Sequence, residues 1–82
     1  MDTVFSEEGA FFTFSTVFER DPGVYEASVL FERKIDHVHT LVPAIRHKLP
    51  ATFINRDEAM QTALRYARDS ARSGEVGFGR LD

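Results

Sequence analysis

Cysteine and tryptophan are both missing from this chain of 82 residues. Without cysteine it has no disulfide framework and no thiolate zinc site, so we expect an apolar core to stabilise the fold. No apolar run approaches the ~20 residues that a membrane-spanning helix needs. There is also no internal repeat, low-complexity block or linker. The length therefore predicts one small domain spanning residues 1–82.

Positive charge is absent near the N-terminus, where the first basic residue is Arg20. A secretory signal peptide needs Lys or Arg there, and residues 1–8 carry acids instead. The whole chain has a formal charge of −3, with 43% hydrophobic and 28% charged residues, which is an ordinary globular composition. We therefore expect a folded, cytoplasmic protein with no membrane partner.

Alternating residues predict a β-hairpin over residues 10–34. The first arm, residues 10–19, is rich in aromatic and β-branched side chains that repeat at period two. Asp21-Pro22-Gly23 then provides a tight reversal, because proline presets φ and glycine accepts positive φ. The second arm, residues 24–34, carries four apolar side chains on one face: Tyr25, Ala27, Val29 and Phe31.

The segments around the hairpin are less regular. Pro43 and Pro50 each remove a ladder donor, so we expect an irregular third strand near residues 44–49, and a helical turn over 40–45 is left open as an alternative. Residues 1–9 are interpreted as a loose lead-in or a short edge strand. Residues 75–82 are expected either to fray or to dock.

A C-terminal helix is predicted over residues 56–73. Asn55 and Glu58 have the spacing of a capping box, and Gly74 ends the helix. Small and apolar residues form one stripe along it: Ala59, Met60, Ala63, Leu64, Ala67 and Ala71. The predicted fold class is therefore α+β, a small antiparallel sheet of about three strands packed on one helix.

One helix can cover only one face of such a sheet. If Phe12, Phe14 and Phe18 face the helix, the opposite face is left with an apolar surface, for which we name four interface candidates: Phe11, Thr13, Val17 and Leu30. Either a chain end folds over this face or a homodimer buries it. We expect self-association, or another protein partner, at this face.

A basic face is the alternative candidate site. It consists of three arginines on the helix and two basic residues before it: Arg65, Arg68, Arg72, Arg46 and Lys48. Residues 37–82 carry a net charge of +2, from seven basic and five acidic residues. A charged helix face is also what solvent exposure produces, and an acidic chain lacks the basic excess typical of nucleic-acid binding. Nucleic acid is therefore the second hypothesis.

Signals for chemistry are few. His37 and His39 form a pair separated by one residue, which falls short of the three or four ligands that zinc needs, so no metal or other cofactor is predicted. The sequence has no cysteine nucleophile, no Gly-x-Ser-x-Gly elbow, no phosphate-binding glycine loop and no His-Glu-x-x-His motif. We expect no enzymatic activity.

The segments FINRDEA (residues 53–59) and ALRYAR (residues 63–68) resemble the end of small uncharacterised proteobacterial domains built from three strands and a helix. The resemblance spans residues 10–74. It implies a bacterial origin and this fold, and it implies no activity or functional residue. The sequence is thus interpreted as a small bacterial interaction or accessory domain.

Overall fold

A computed structural model describes residues 2–34 and 44–73 of the chain. These residues form strands β1 (Asp2–Glu8), β2 (Phe11–Asp21), β3 (Val24–Arg33) and β4 (Ala44–Lys48), followed by helix α1 (Arg56–Ser73). The strands make one antiparallel sheet in the order β1-β2-β3-β4. The predicted α+β class, hairpin and helix are confirmed.

The sheet has one strand more than the sequence predicted. Residues 2–8, for which a loose lead-in was one expectation, pair along their whole length with β2. Gly9 allows the turn between these strands because it adopts φ of 59°, and Gly23 closes the β2–β3 turn with φ of 76°. Residues 75–82 lie outside the described residues, as do residues 40–43 of the alternative helical turn over 40–45, whereas residues 44 and 45 of that turn belong to β4.

A β-bulge at Arg20 sets the register of the central hairpin. Asp21 lies opposite Val24, but Glu19 lies opposite Tyr25, so Arg20 has no partner in the ladder. Asp21 pairs with Val24, and if the strands continued in that register without a bulge, Phe18 would lie opposite Ala27. With the bulge, Val17 occupies that position. A shift of one residue moves every side chain of a strand to the other face of the sheet.

The prediction of which β2 side chains face the helix is therefore wrong. Thr13 and Val17 are fully buried on the face that α1 covers, and Phe11 packs against the core there. The larger Phe12, Phe14 and Phe18 lie on the opposite face. Of the four proposed interface residues, Leu30 alone lies on that opposite face, next to Phe14. The Arg20 bulge is the physical reason for the exchange.

Small side chains form the contact between helix and sheet. Ala59, Ala63 and Ala67 are completely buried, as the stripe predicted. They belong to a core cluster with five residues of the sheet and the segment after it: Val17, Ala27, Val29, Phe31 and Leu49. Alanine lets the helix backbone lie close to the strands, so the core is thin and tightly packed.

The start of α1 is fixed by a cap and an ion pair. The backbone N–H of Glu58 donates to Asn55 Oδ1 at 3.0 Å, which confirms the cap. Arg56 Nη1 lies 2.7 Å from Asp2 Oδ2 at the beginning of β1.

Within the described segments, no helix is both long and apolar enough to cross a bilayer.

Two buried serines provide a matched test of the core. Ser15 Oγ, on the helix side of β2, is buried without a hydrogen-bond partner, whereas Ser28 Oγ accepts a 3.0 Å bond from Arg46 Nη1. An unpaired buried hydroxyl is destabilising, and a paired one is stabilising by about 1 kcal/mol. We expect Ser15→Ala to leave the free energy of unfolding unchanged or raise it by up to about 1 kcal/mol, and Ser28→Ala to lower it by about 1 kcal/mol.

Urea denaturation of the two variants beside the wild type measures both values. Equal losses of stability in both variants would contradict the different environments of the two hydroxyls.

Candidate interaction surfaces

The sheet face opposite α1 is called the open face here. It carries alternate side chains of the four strands: Thr3, Phe5 and Glu7 of β1, Phe12, Phe14, Thr16 and Phe18 of β2, Glu26, Ser28, Leu30 and Glu32 of β3, and Arg46 and Lys48 of β4. It has an aromatic part and a polar part, and these differ in how well they are covered.

The aromatic part is a phenylalanine cluster made of Phe5, Phe12 and Phe14. The ring of Phe5 lies 5.6 Å from that of Phe12 and 5.3 Å from that of Phe14, measured between centroids. Phe12 and Phe14 are half-buried, but Phe5 is 54% exposed. Together with Glu32 they line a shallow pocket of about 80 Å³. The cluster thus presents a cohesive aromatic surface to solvent.

Charges border the phenylalanine cluster. Lys34 Nζ lies 2.9 Å from Glu7 Oε2 and 5.6 Å from the centre of the Phe12 ring, within the range of a cation–π contact. Glu32 lies at the edge of the pocket. The border therefore contains both signs of charge around an apolar centre.

The polar part of the open face is covered by its own side chains. Glu26 is only 5% exposed, and its carboxylate accepts bonds from Arg20 at 3.0 Å and Lys48 at 3.3 Å. The hydroxyls of Thr3 and Thr16 lie 3.1 Å apart in a hydrogen bond. These groups satisfy one another, and among the described residues of this face Phe5 of the phenylalanine cluster is the one exposed large apolar side chain.

Electrostatics fix Glu26 in its charged form. Burial acts to raise the pKa of its carboxyl, but hydrogen bonds and charges from Arg20 and Lys48 outweigh burial and hold the pKa below the ordinary 4.5. A lowered pKa in the folded state means that this contribution to stability is complete above pH 4.5 and is lost as the pH falls through the folded-state pKa.

The variant Glu26→Gln tests this linkage. We expect it to be less stable than the wild type at neutral pH, with a difference that shrinks as the pH falls below 4.5, because the wild-type carboxylate is then protonated as well. Denaturant unfolding of both proteins from about pH 7 to about pH 3 measures the difference. A gap that stays constant over this range would contradict the assignment.

A second surface is a groove of about 360 Å³ between β1 and α1. Val4, Phe5, Ser6 and Glu8 line its strand side, and the helix side is lined by Gln61, Leu64, Arg65 and Arg68. Val4 is 38% exposed, and Leu64 is half-buried. The groove exists because α1 lies mainly over β2 and β3 and leaves the helix-facing side of β1 partly uncovered.

The predicted basic face is not one surface. Arg65, Arg68 and Arg72 are exposed on α1. Arg46 and Lys48 lie on the open face, where they bind Ser28 and Glu26. The sheet therefore separates the two parts of the set.

Of the three histidines, His47 lies among the described residues. His37 and His39 lie outside the described residues. His47 Nδ1 is 2.7 Å from Tyr66 Oη, and its ring lies 4.9 Å from that of Phe31, so His47 joins β4 to α1. Residues 2–34 and 44–73 contain no group of three or more His, Cys, Asp or Glu side chains suited to a metal ion.

Sequence reasoning did not select Phe5 because residues 1–9 were interpreted as either a loose lead-in or a short edge strand, without a face assigned to their side chains. A signal was present in the alternation of Thr3, Phe5 and Glu7 with Val4 and Ser6, followed by a turn glycine, which is the pattern of a strand entering a hairpin.

Comparison with known proteins gives no match: no family model, curated protein or solved structure is similar to this chain. The resemblance to small proteobacterial domains stays a prediction. The two surfaces therefore have to carry the functional argument.

Proposed function

We propose that this protein is a small interaction domain that self-associates through the phenylalanine cluster of its open face. The observation that carries the proposal is the Phe5 ring, which packs on Phe12 and Phe14 yet is 54% exposed. Covering such an aromatic cluster with a partner removes apolar surface from water and so stabilises the complex. Aromatic residues are also enriched at protein interfaces.

A second copy of the chain is the partner that the border of the cluster favours. A two-fold interface brings the same patch of both subunits together, so it requires a patch that is complementary to itself. Lys34, Glu7 and Glu32 surround the apolar centre with both signs of charge. Opposite charges of the two copies can then meet at the rim while the phenylalanine rings meet in the middle.

The small size of the chain is a further, thermodynamic reason to expect self-association. A domain of 82 residues without disulfides has a limited core, and self-association is one way in which such domains gain stability. Apart from Phe31, the phenylalanines of the described strands lie outside the fully buried core. We further propose a bacterial, cytoplasmic accessory role without catalysis, in which the dimer is the active form.

The nucleic-acid hypothesis receives less support from the geometry. Its five basic residues lie on two sides of the sheet, and Arg46 and Lys48 already bind Ser28 and Glu26. Phosphate binding gains affinity from many cations on one surface. Three arginines of α1 are left for that role, so self-association is the function we favour.

The variant Phe5→Glu tests self-association. We expect the wild type to change from monomer to dimer as its concentration rises through about 5–500 µM, and the variant to dimerise at least about tenfold more weakly, because a carboxylate would be buried among the rings. Sedimentation velocity measures both dimerisation constants.

Ile54→Glu is the matched control, because Ile54 is 86% exposed and follows Phe53, whose backbone pairs with Tyr25 away from the cluster. This variant should dimerise as the wild type does, and circular dichroism checks that both variants are folded. A wild type that stays monomeric over the whole range, or an equal effect of Ile54→Glu, would contradict the proposal.

A further inference from the structure

The groove between β1 and α1 combines features that the open face does not have. Its lining is mixed, with the apolar residues Val4 and Leu64 among polar and charged ones. Helix and strand run in the same direction, because Arg56 binds Asp2 at their starts and the groove continues from Val4 and Gln61 to Glu8 and Arg68. The groove therefore follows β1 and has the elongated form that suits an extended chain.

In the part of the chain that the structure describes, β1 is one of the two edge strands of the sheet, and it is the one beside the groove. The outer main-chain groups of an edge strand are free to pair with another strand, and an added strand is a common mode of peptide recognition. A strand placed there would alternate its side chains, with one set directed into the groove and the other towards the open face. An extended peptide is thus the type of ligand that fits.

The charged residues that line the groove indicate which kind of peptide it would bind. Asp2 is paired with Arg56 and Glu7 with Lys34, whereas Glu8 accepts the uncharged Ser6 hydroxyl at 2.8 Å and keeps its negative charge in the groove. Within residues 2–34 and 44–73, Arg65 has no ion-pair partner, and Arg68 lies 3.6 Å from the exposed Asp69. The two arginines therefore make the helix wall of the groove cationic, and they outnumber the one unpaired carboxylate of the strand wall, Glu8.

A second copy of β1 is a poorer occupant. Antiparallel pairing of two copies centred on Phe5 would place Asp2 of one copy beside Glu8 of the other. Like charges directly opposite each other are destabilising in a sheet. The arginine walls of two helices would also share one groove.

We propose that the groove binds an extended acidic peptide, which adds as a strand to the edge of β1. An apolar side chain of the peptide lies between Val4 and Leu64, and acidic side chains on the same face bind Arg65 and Arg68. Phe5 lines both the groove and the phenylalanine cluster, but the proposal rests on Arg65, Arg68 and the edge of β1 and does not depend on self-association.

The probe is a capped peptide of sequence Thr-Val-Thr-Glu-Thr-Glu-Thr, whose valine and glutamates share one face and whose length equals the seven residues of β1. We expect it to bind with a dissociation constant of about 0.1–1 mM. In a ¹H–¹⁵N spectrum, amide signals of β1 and of Gln61–Arg68 should shift. The β1 amides are the decisive readout, because contact with the arginines alone would not move them.

Three comparisons make the test specific. A peptide with lysine in place of both glutamates should not bind, and Arg65→Glu should weaken binding of the acidic peptide at least about tenfold. Arg72→Glu is the matched control, since Arg72 lies on the same helix but does not line the groove, and it should bind as the wild type does.

The proposal is overturned if the lysine peptide binds equally well, if Arg72→Glu weakens binding as much as Arg65→Glu, or if no binding is found at several millimolar peptide, roughly the weakest affinity of interest. It is also overturned if the shifts are confined to β2 and β3, or if the Gln61–Arg68 amides shift with protein concentration alone, which would identify a second copy as the occupant of the groove.

Discussion

The bulge at Arg20 is the constraint on which the rest of the structure depends. It shifts the pairing of β2 against β3 by one residue and so decides which face of β2 lies under α1. Arg20 is held by Glu26 at 3.0 Å and by Asp21 at 3.2 Å. Arg20 and Lys48 lower the pKa of Glu26, so Arg20 connects the bulge to the buried carboxylate and the polar part of the open face.

Both proposed binding surfaces follow from that register. The helix meets the smaller side chains of the sheet, such as Val17 and Ala27, and its alanines can pack closely there. Three of the four phenylalanines of β2 (Phe12, Phe14 and Phe18) are left on the open face, where Phe5 of β1 contacts Phe12 and Phe14. Because β1 extends the sheet beyond the width that one helix covers, a groove remains beside α1. One bulge and one narrow helix thus account for the aromatic cluster and for the groove.

The sequence predicted the elements well and their faces poorly. Alternation in β3, the Asn55 cap and the alanine stripe each depend on local patterns, and all are confirmed. The faces of β2 depend on register, and the Pro22-Gly23 turn is compatible with pairing with or without a bulge. Side-chain size favoured the wrong face, because large aromatic residues are usually expected in the core. A position-specific cue for the bulge at Arg20 is not evident in the sequence.

The most direct test of the account is the cross-strand neighbour of Ala27, measured by nuclear Overhauser contacts in a labelled protein. The bulged register predicts contacts from Val17 to Ala27, and from Val17 to the buried alanines of α1. Contacts from Phe18 to Ala27, with Phe14 and Phe18 against the helix, would show the register without the bulge and would contradict the assignment of both surfaces.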